Sequence, residues 1–103
     1  MAKLAEEEIR RRLRRLRGWR YVRGELRRAL RFEDYLSEVA FFNLLALQAE
    51  RMDHHPDVRL SWGRMELSLT THSEGGVTEK DFLLAEGIEK AYRLLRARSR
   101  RAS

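Results

Sequence analysis

The sequence predicts an α+β fold, a four-stranded antiparallel sheet with three helices packed on one face, in the order α-β-β-α-β-β-α. Three observations carry this. Val58, Leu60 and Trp62, then Met65, Leu67 and Leu69, alternate with polar residues on either side of Gly63, a β-hairpin signal. Residues 33–52 hold apolar residues at helical spacing with no glycine or proline among them. Two shorter β-type runs, 19–22 and 26–32, flank Gly24. Strands that pair as hairpins leave one apolar face, and helices on that face are the economical cover.

Each element has its own signal. Leu4, Ile9, Leu13 and Leu16 recur at helical spacing, so the first helix is expected over 4–16. Glu6, Glu7 and Glu8 near its start and arginines near its end suit the helix dipole, and Gly18 ends it. Gly24-Glu25 is the expected turn of the first hairpin. Leu26, Leu30 and Phe32 are spaced for one strand face, although Arg28 and Ala29 do not favour a strand. In the long helix, Tyr35, Val39, Phe42, Ala46 and Ala49 form the expected core stripe, widened by Leu36, Phe41 and Leu45. Pro56 biases the residue before it away from helix, so His54 and His55 fall on a bend after the helix. Ser73 to Gly76 reads as a loop. Thr78 with Asp81 three residues on is a capping-box variant, and it opens a last helix at about 78–98. That helix should bury Leu84, Ile88, Ala91 and Leu95, and the tail from about 98 to 103 should fray.

Composition bounds the function. The chain has 103 residues, 43% hydrophobic and 37% charged, which suits one globular domain over 1–103. Without cysteine there is no disulfide framework and no thiolate chemistry. No apolar run approaches a membrane span, and no signal-peptide core is present, so a cytoplasmic protein is expected. The net charge is +6, and eleven of the nineteen arginines lie between Arg10 and Arg31, where Glu25 is the only acid. Such a stripe suits phosphates or a membrane surface. Its only aromatics are Trp19 and Tyr21, and it carries no nucleic-acid motif, so it reads first as a solvated face.

The three histidines are the chemical signal. His54, His55 and His72 fall within nineteen positions, on two segments that can fold together. Imidazole both gives and takes protons near neutral pH, so general acid–base work is the first candidate. Glu50 and Asp53 are carboxylates placed to tune or orient the pair. A metal site fits less well: adjacent histidines rarely converge on one ion, and no His-x-x-x-His pair is present. Taken singly, each histidine also has a structural reading, and Asp81 is accounted for as a cap. No nucleophile motif or dinucleotide fingerprint appears, and Gly75-Gly76 is simply a turn.

The spacing then resembles one family. Glu50-x-x-Asp53-His54-His55-Pro56, Trp62, Thr71-His72 and Asp81 match the signature of the pterin-4a-carbinolamine dehydratases. Gly18-Trp19, Phe32, Leu47-Gln48-Ala49-Glu50 and Gly75-Gly76-Val77-Thr78 match around it, over about residues 13–92. The resemblance implies the α+β fold above and dehydration of 4a-hydroxytetrahydropterin to quinonoid dihydropterin, a step in regenerating tetrahydrobiopterin-type cofactors. It implies no cofactor and no metal, with the pterin as substrate, and a homodimer or homotetramer. It implies His54, His55 and His72 as the catalytic set, the first two as acid and base and His72 holding the departing hydroxyl. Glu50, Asp53, Pro56, Trp62, Thr70, Thr71 and Asp81 would line or orient the pterin site. Some members carry an aromatic where Val58 stands here, which leaves a wider pocket. The alternative is a non-catalytic dimerisation or assembly-chaperone module on the same fold. Such a descendant would be expected to lose the histidines, and this chain keeps them.

Overall fold

The computed structural model describes the backbone of residues 2–102, with side chains described through residue 97. Its elements run α1 (Glu6–Leu13), β1 (Arg20–Val22), β2 (Glu25–Arg31), α2 (Tyr35–Met52), β3 (Asp57–Ser61), β4 (Arg64–Leu69), a 3-10 turn (His72–Glu74) and α3 (Glu79–Ala102). The order is the predicted one. The four strands form one antiparallel sheet, ordered β1-β2-β4-β3, so β1 and β3 are its edges. The tail expected to fray lies mainly where side chains fall outside the described residues, and Ser103 lies wholly outside them.

Strand alternation decides which chemistry meets which layer. Leu26 pairs with Leu69, Arg28 with Leu67 and Leu30 with Met65, which puts these residues on the inner face beneath the helices. The leucines and Met65 are at most 2% exposed. The first turn is shifted by one residue from expectation. Arg23 and Gly24 both take positive φ (50° and 81°) and form the two-residue loop, while Glu25 opens β2. A loop of that hand matches the twist of the paired strands.

α2 was expected to bury Tyr35 and Leu36, and the structure corrects both: they are 50% and 79% exposed. The buried stripe is Glu38, Phe41, Leu45 and Ala49. Leu36 has the angular phase of Leu44 and Leu47 and lies on the solvent side. Tyr35 lies a turn ahead of Glu38, where the helix first meets the sheet through the Gly63 N–H donating to Glu38 Oε1 at 3.1 Å. α1 is also shorter than expected, because its last residues tighten into i→i−3 turns up to Leu16.

Arg28, the residue that argued against a strand, explains how β2 and α3 are joined. It lies on the inner face, and Nε and Nη2 donate to the two oxygens of buried Glu89 at 2.9 and 3.0 Å. Trp19 Nε1 donates to the same carboxylate at 2.8 Å. Gly18 must stay small beside them: its φ is +91°, and a Cβ there would stand 2.5 Å from the Arg28 guanidinium carbon. A second tie is Tyr92, whose hydroxyl donates to the Arg31 carbonyl and accepts from its N–H, while its ring packs edge-on to Phe32 and Phe41.

Burial pushes the Glu89 carboxyl up, but the hydrogen bonds from Arg28 and Trp19 outweigh it and hold the group below the usual carboxylate range. A carboxyl whose folded value lies below its unfolded value stabilises above the unfolded value and loses that contribution as pH falls through the folded one. Glu89→Gln should therefore lower the urea unfolding free energy by about 3 kcal/mol at pH 7. It should also lessen the loss of stability that wild type shows below about pH 4. An unchanged urea midpoint would contradict the clamp.

Candidate active site

The end of α2 is built to deliver two histidines in different environments. Asp53 takes the left-handed conformation (φ 50°, ψ 46°), its N–H donates to the Glu50 carbonyl, and the His54 N–H donates to the Ala49 carbonyl. This pair of bonds is a Schellman stop, usually made with glycine. The turn sends His54 inward, 9% exposed, and leaves His55 outside. Pro56, in a trans peptide, then leads into β3.

His54 meets Asp81, which has no exposed surface. The two are joined by a 2.5 Å contact between Nε2 and Oδ1. The other oxygen of Asp81 accepts from Thr71 Oγ1 and from the Thr78 N–H, both at 2.8 Å. Thr78 is the N-cap: its hydroxyl accepts from the Lys80 N–H at 3.3 Å and lies 2.9 Å from Thr71 Oγ1. Asp81 thus completes the capping box and holds His54 at once. A carboxylate saturated by donors on one oxygen requires a donor on the other, so His54 presents Nε2–H to it.

His55 makes the parallel contact at the surface, Nε2 to Glu50 Oε2 at 2.5 Å, with both side chains more than half exposed. An ionised Glu50 accepts only, so Nε2 carries the proton and Nδ1 keeps a lone pair toward solvent. His72 opens the 3-10 turn after β4, exposed and without a side-chain hydrogen bond among the described residues. Asp57 pairs with Ser68, and that register continued past the strand ends sets His55 level with Thr70 and His54 level with Thr71. Thr70 in turn donates to the Gly24 carbonyl at 3.1 Å.

One end of the sheet thus gathers His54, His55, His72, Glu50, Asp53, Pro56, Thr70, Thr71 and Asp81. Trp62 does not join them. It sits in the β3–β4 turn, 76% exposed, roughly 17 Å along the hairpin from Asp57 at about 3.3 Å per residue. Val58 is half-buried on the inner face against the core. Among the described residues, no three His, Asp or Glu side chains are grouped to hold a metal ion.

The family described as Pterin 4 alpha carbinolamine dehydratase matches residues 2–91. The chain belongs to that family. A relative from Sulfolobus acidocaldarius, named "Putative pterin-4-alpha-carbinolamine dehydratase", is 47% identical over 85% of this chain and 97% of its own. A relative of the same name from Metallosphaera sedula is 38% identical over 92% and 99%. A crystal structure from Brucella melitensis, titled a transcriptional coactivator/pterin dehydratase, superposes with a TM-score of 0.84 at 36% identity, over 87% of this chain and 98% of that one.

Sequence reasoning missed one member of the site. Glu25 was read as a turn residue, yet its carboxylate accepts from Ser68 Oγ at 2.7 Å and from Arg27 Nη2 at 3.0 Å. The Ser68 hydroxyl first, then Arg27 and the charge of nearby His72, hold it below the usual carboxylate range against the opposing effect of burial. Its signal was present: it is the lone acid among the arginines of 10–31.

Two carboxylate–histidine pairs of equal length should differ sharply in worth. Asp81→Asn leaves buried donors mismatched and should cost about 2 kcal/mol in urea unfolding. Glu50→Gln, at the surface, should cost under about 0.5 kcal/mol. Equal losses would refute the division into a buried clamp and an exposed pair.

Proposed function

We propose that this family member is a hydro-lyase that dehydrates 4a-hydroxytetrahydropterin to quinonoid dihydropterin and water, by histidine general acid–base catalysis, in the regeneration of a tetrahydrobiopterin-type cofactor. The observation that carries the reading is the exposed His55–Glu50 pair at the same sheet end as exposed His72, with His54 clamped behind them. The reaction needs that kind of site. The N5–H proton must leave, the C4a hydroxyl must be protonated to depart as water, and the N5 electron pair forms the C4a=N5 double bond.

His55 is the base. Glu50 fixes its tautomer, and the free Nδ1 takes the N5 proton, with the imidazolium then stabilised by the same carboxylate. His72, exposed and without a side-chain hydrogen bond among the described residues, delivers the proton to the leaving hydroxyl. His54 is a positioning residue: its ring is bound to Asp81, and its backbone fixes the turn that presents His55. Asp53, Thr70 and Thr71 supply polar groups for the ring's N–H and carbonyl edge.

The reading includes self-association as a homodimer or homotetramer. Leu36, Leu44 and Leu47 form an exposed stripe on α2, and β3 is an open sheet edge. No helix among the described residues is long and apolar enough to cross a membrane, so a membrane does not account for that stripe as a spanning segment.

Turnover of synthetic 4a-hydroxytetrahydropterin, measured above the uncatalysed rate, tests the chemistry. His55→Ala and His72→Ala should each lower kcat by about a hundredfold with little change in unfolding midpoint. His54→Ala should lower both kcat and stability. Full activity of the His55 and His72 variants would end the mechanism, and no wild-type activity would favour the non-catalytic dimerisation or assembly module.

A further inference from the structure

We propose that the outer face of the sheet is a subsite for an anionic side chain, phosphate or carboxylate, carried by the pterin substrate. This rests on the dehydratase reading above, and it gives a role to part of the arginine excess that the reaction itself does not use.

The three helices cover the inner face, and the outward positions of the strands face solvent. Register puts Arg20, Arg27, Ser68 and Asp57 in one row across the four strands, with Ala29, Glu66 and Arg59 in the next and Arg64 beyond. Small side chains, Ala29 and Ser68, form the floor, and the arginines rise around it. The result is a cleft of about 640 Å³, within the usual range of small-molecule sites.

Charge favours an anion there. Arg20, Arg27, Arg59 and Arg64 line the cleft against Glu25, Asp57 and Glu66. Glu66 is shared loosely, 3.6 Å from Arg64 and 4.0 Å from Arg59. Arg27 gives Nε and Nη2 to Glu25 and keeps Nη1. Among the described residues Arg20 has no ion-pair partner, and it is exposed. Guanidinium donors therefore remain for a ligand, and their planar fork suits phosphate and carboxylate.

The cleft also begins where the histidine site ends. Glu25 feels the charge of His72 and is bonded to Arg27, and Asp57 stands two residues after His55. In a pterin, the C6 substituent sits on the carbon bonded to N5, so it leaves the ring at the reacting edge. A three-carbon chain ending in an anion reaches roughly 7 Å, about two residues along a strand. That is the step from the Glu25–Thr70 level to the Arg20–Arg27 row. Nucleic acid fits the face less well: Asp57 and Glu66 interrupt the charge, and none of the outward side chains named is aromatic to stack a base.

The test compares 4a-hydroxytetrahydropterins with a neutral, a phosphorylated or a carboxylate-ended C6 side chain, in wild type and in Arg20→Gln and Arg59→Gln variants checked for unchanged melting. Wild type should prefer one anionic chain over the neutral one by roughly tenfold in kcat/KM, mainly through KM, and the preference should shrink at high salt and in each variant. Whichever anionic chain is preferred identifies the ligand's source. Equal kcat/KM for all three would overturn the subsite and leave the dehydratase reading standing. If no substrate is turned over, the dehydratase reading fails, and fluorescence titration with the stable 7,8-dihydropterins of the same three side chains decides the subsite. Equal affinity there overturns it, and tighter binding of an anionic chain that both variants abolish supports it.

Discussion

Leaving the oxygens of a fully buried carboxylate unpaired is costly, and Asp81, with no exposed surface, has both occupied by donors from three parts of the chain. Thr71 comes from the end of β4, Thr78 from the start of α3 and His54 from the end of α2. Leaving any of these groups buried and unpaired costs roughly 1–3 kcal/mol, so the three segments are held to one arrangement. The site depends on it. The Schellman turn at Asp53 fixes the direction of the His54-His55 pair, and Asp81 fixes how deep that pair sits.

The two adjacent histidines therefore sit in different surroundings, although each has a carboxylate at the same distance. His54 lies in the interior, where a charge-assisted hydrogen bond is strong and its loss is expensive. His55 lies in water, where the same contact adds little stability but settles which ring nitrogen is free. The sheet divides chemistry in the same way. Its inner face accepts one arginine, Arg28, because Glu89 and Trp19 satisfy it, and its outer face carries Arg20, Arg27, Arg59 and Arg64.

Much of the fold could be read from the residues, because alternation in 57–69 and the turn at Gly63 leave few options. The Thr78-x-x-Asp81 spacing also marked the start of α3. What one-dimensional periodicity could not reveal was the use made of each face. Leu36 and Tyr35 look like core residues, since hydrophobicity does not say whether a partner layer exists. Arg28 looks wrong in a strand until its acid, sixty-one positions away, is folded against it. At the sheet end, the spacing marks His54, His55 and Asp81 as candidates, and the fold brings them to one place. The second task of Asp81 was not legible, because a cap accounts for the residue fully. Trp62 matched a pattern, yet β3 carries it to the far end of the hairpin. Glu25 reads as a turn residue because Ser68, whose hydroxyl it accepts from, lies forty-three positions away.

In the proposed mechanism one sheet end, set by Asp81, presents His55 and His72 to the C4a–N5 edge of a pterin. A crystal structure with 7,8-dihydropterin bound tests it most directly. N5 should lie within about 3.2 Å of a His55 nitrogen and His72 beside C4a, with the Asp81–His54 contact intact. A pterin bound elsewhere, such as the groove between α1 and α3 lined by Arg15 and Lys90, would contradict it.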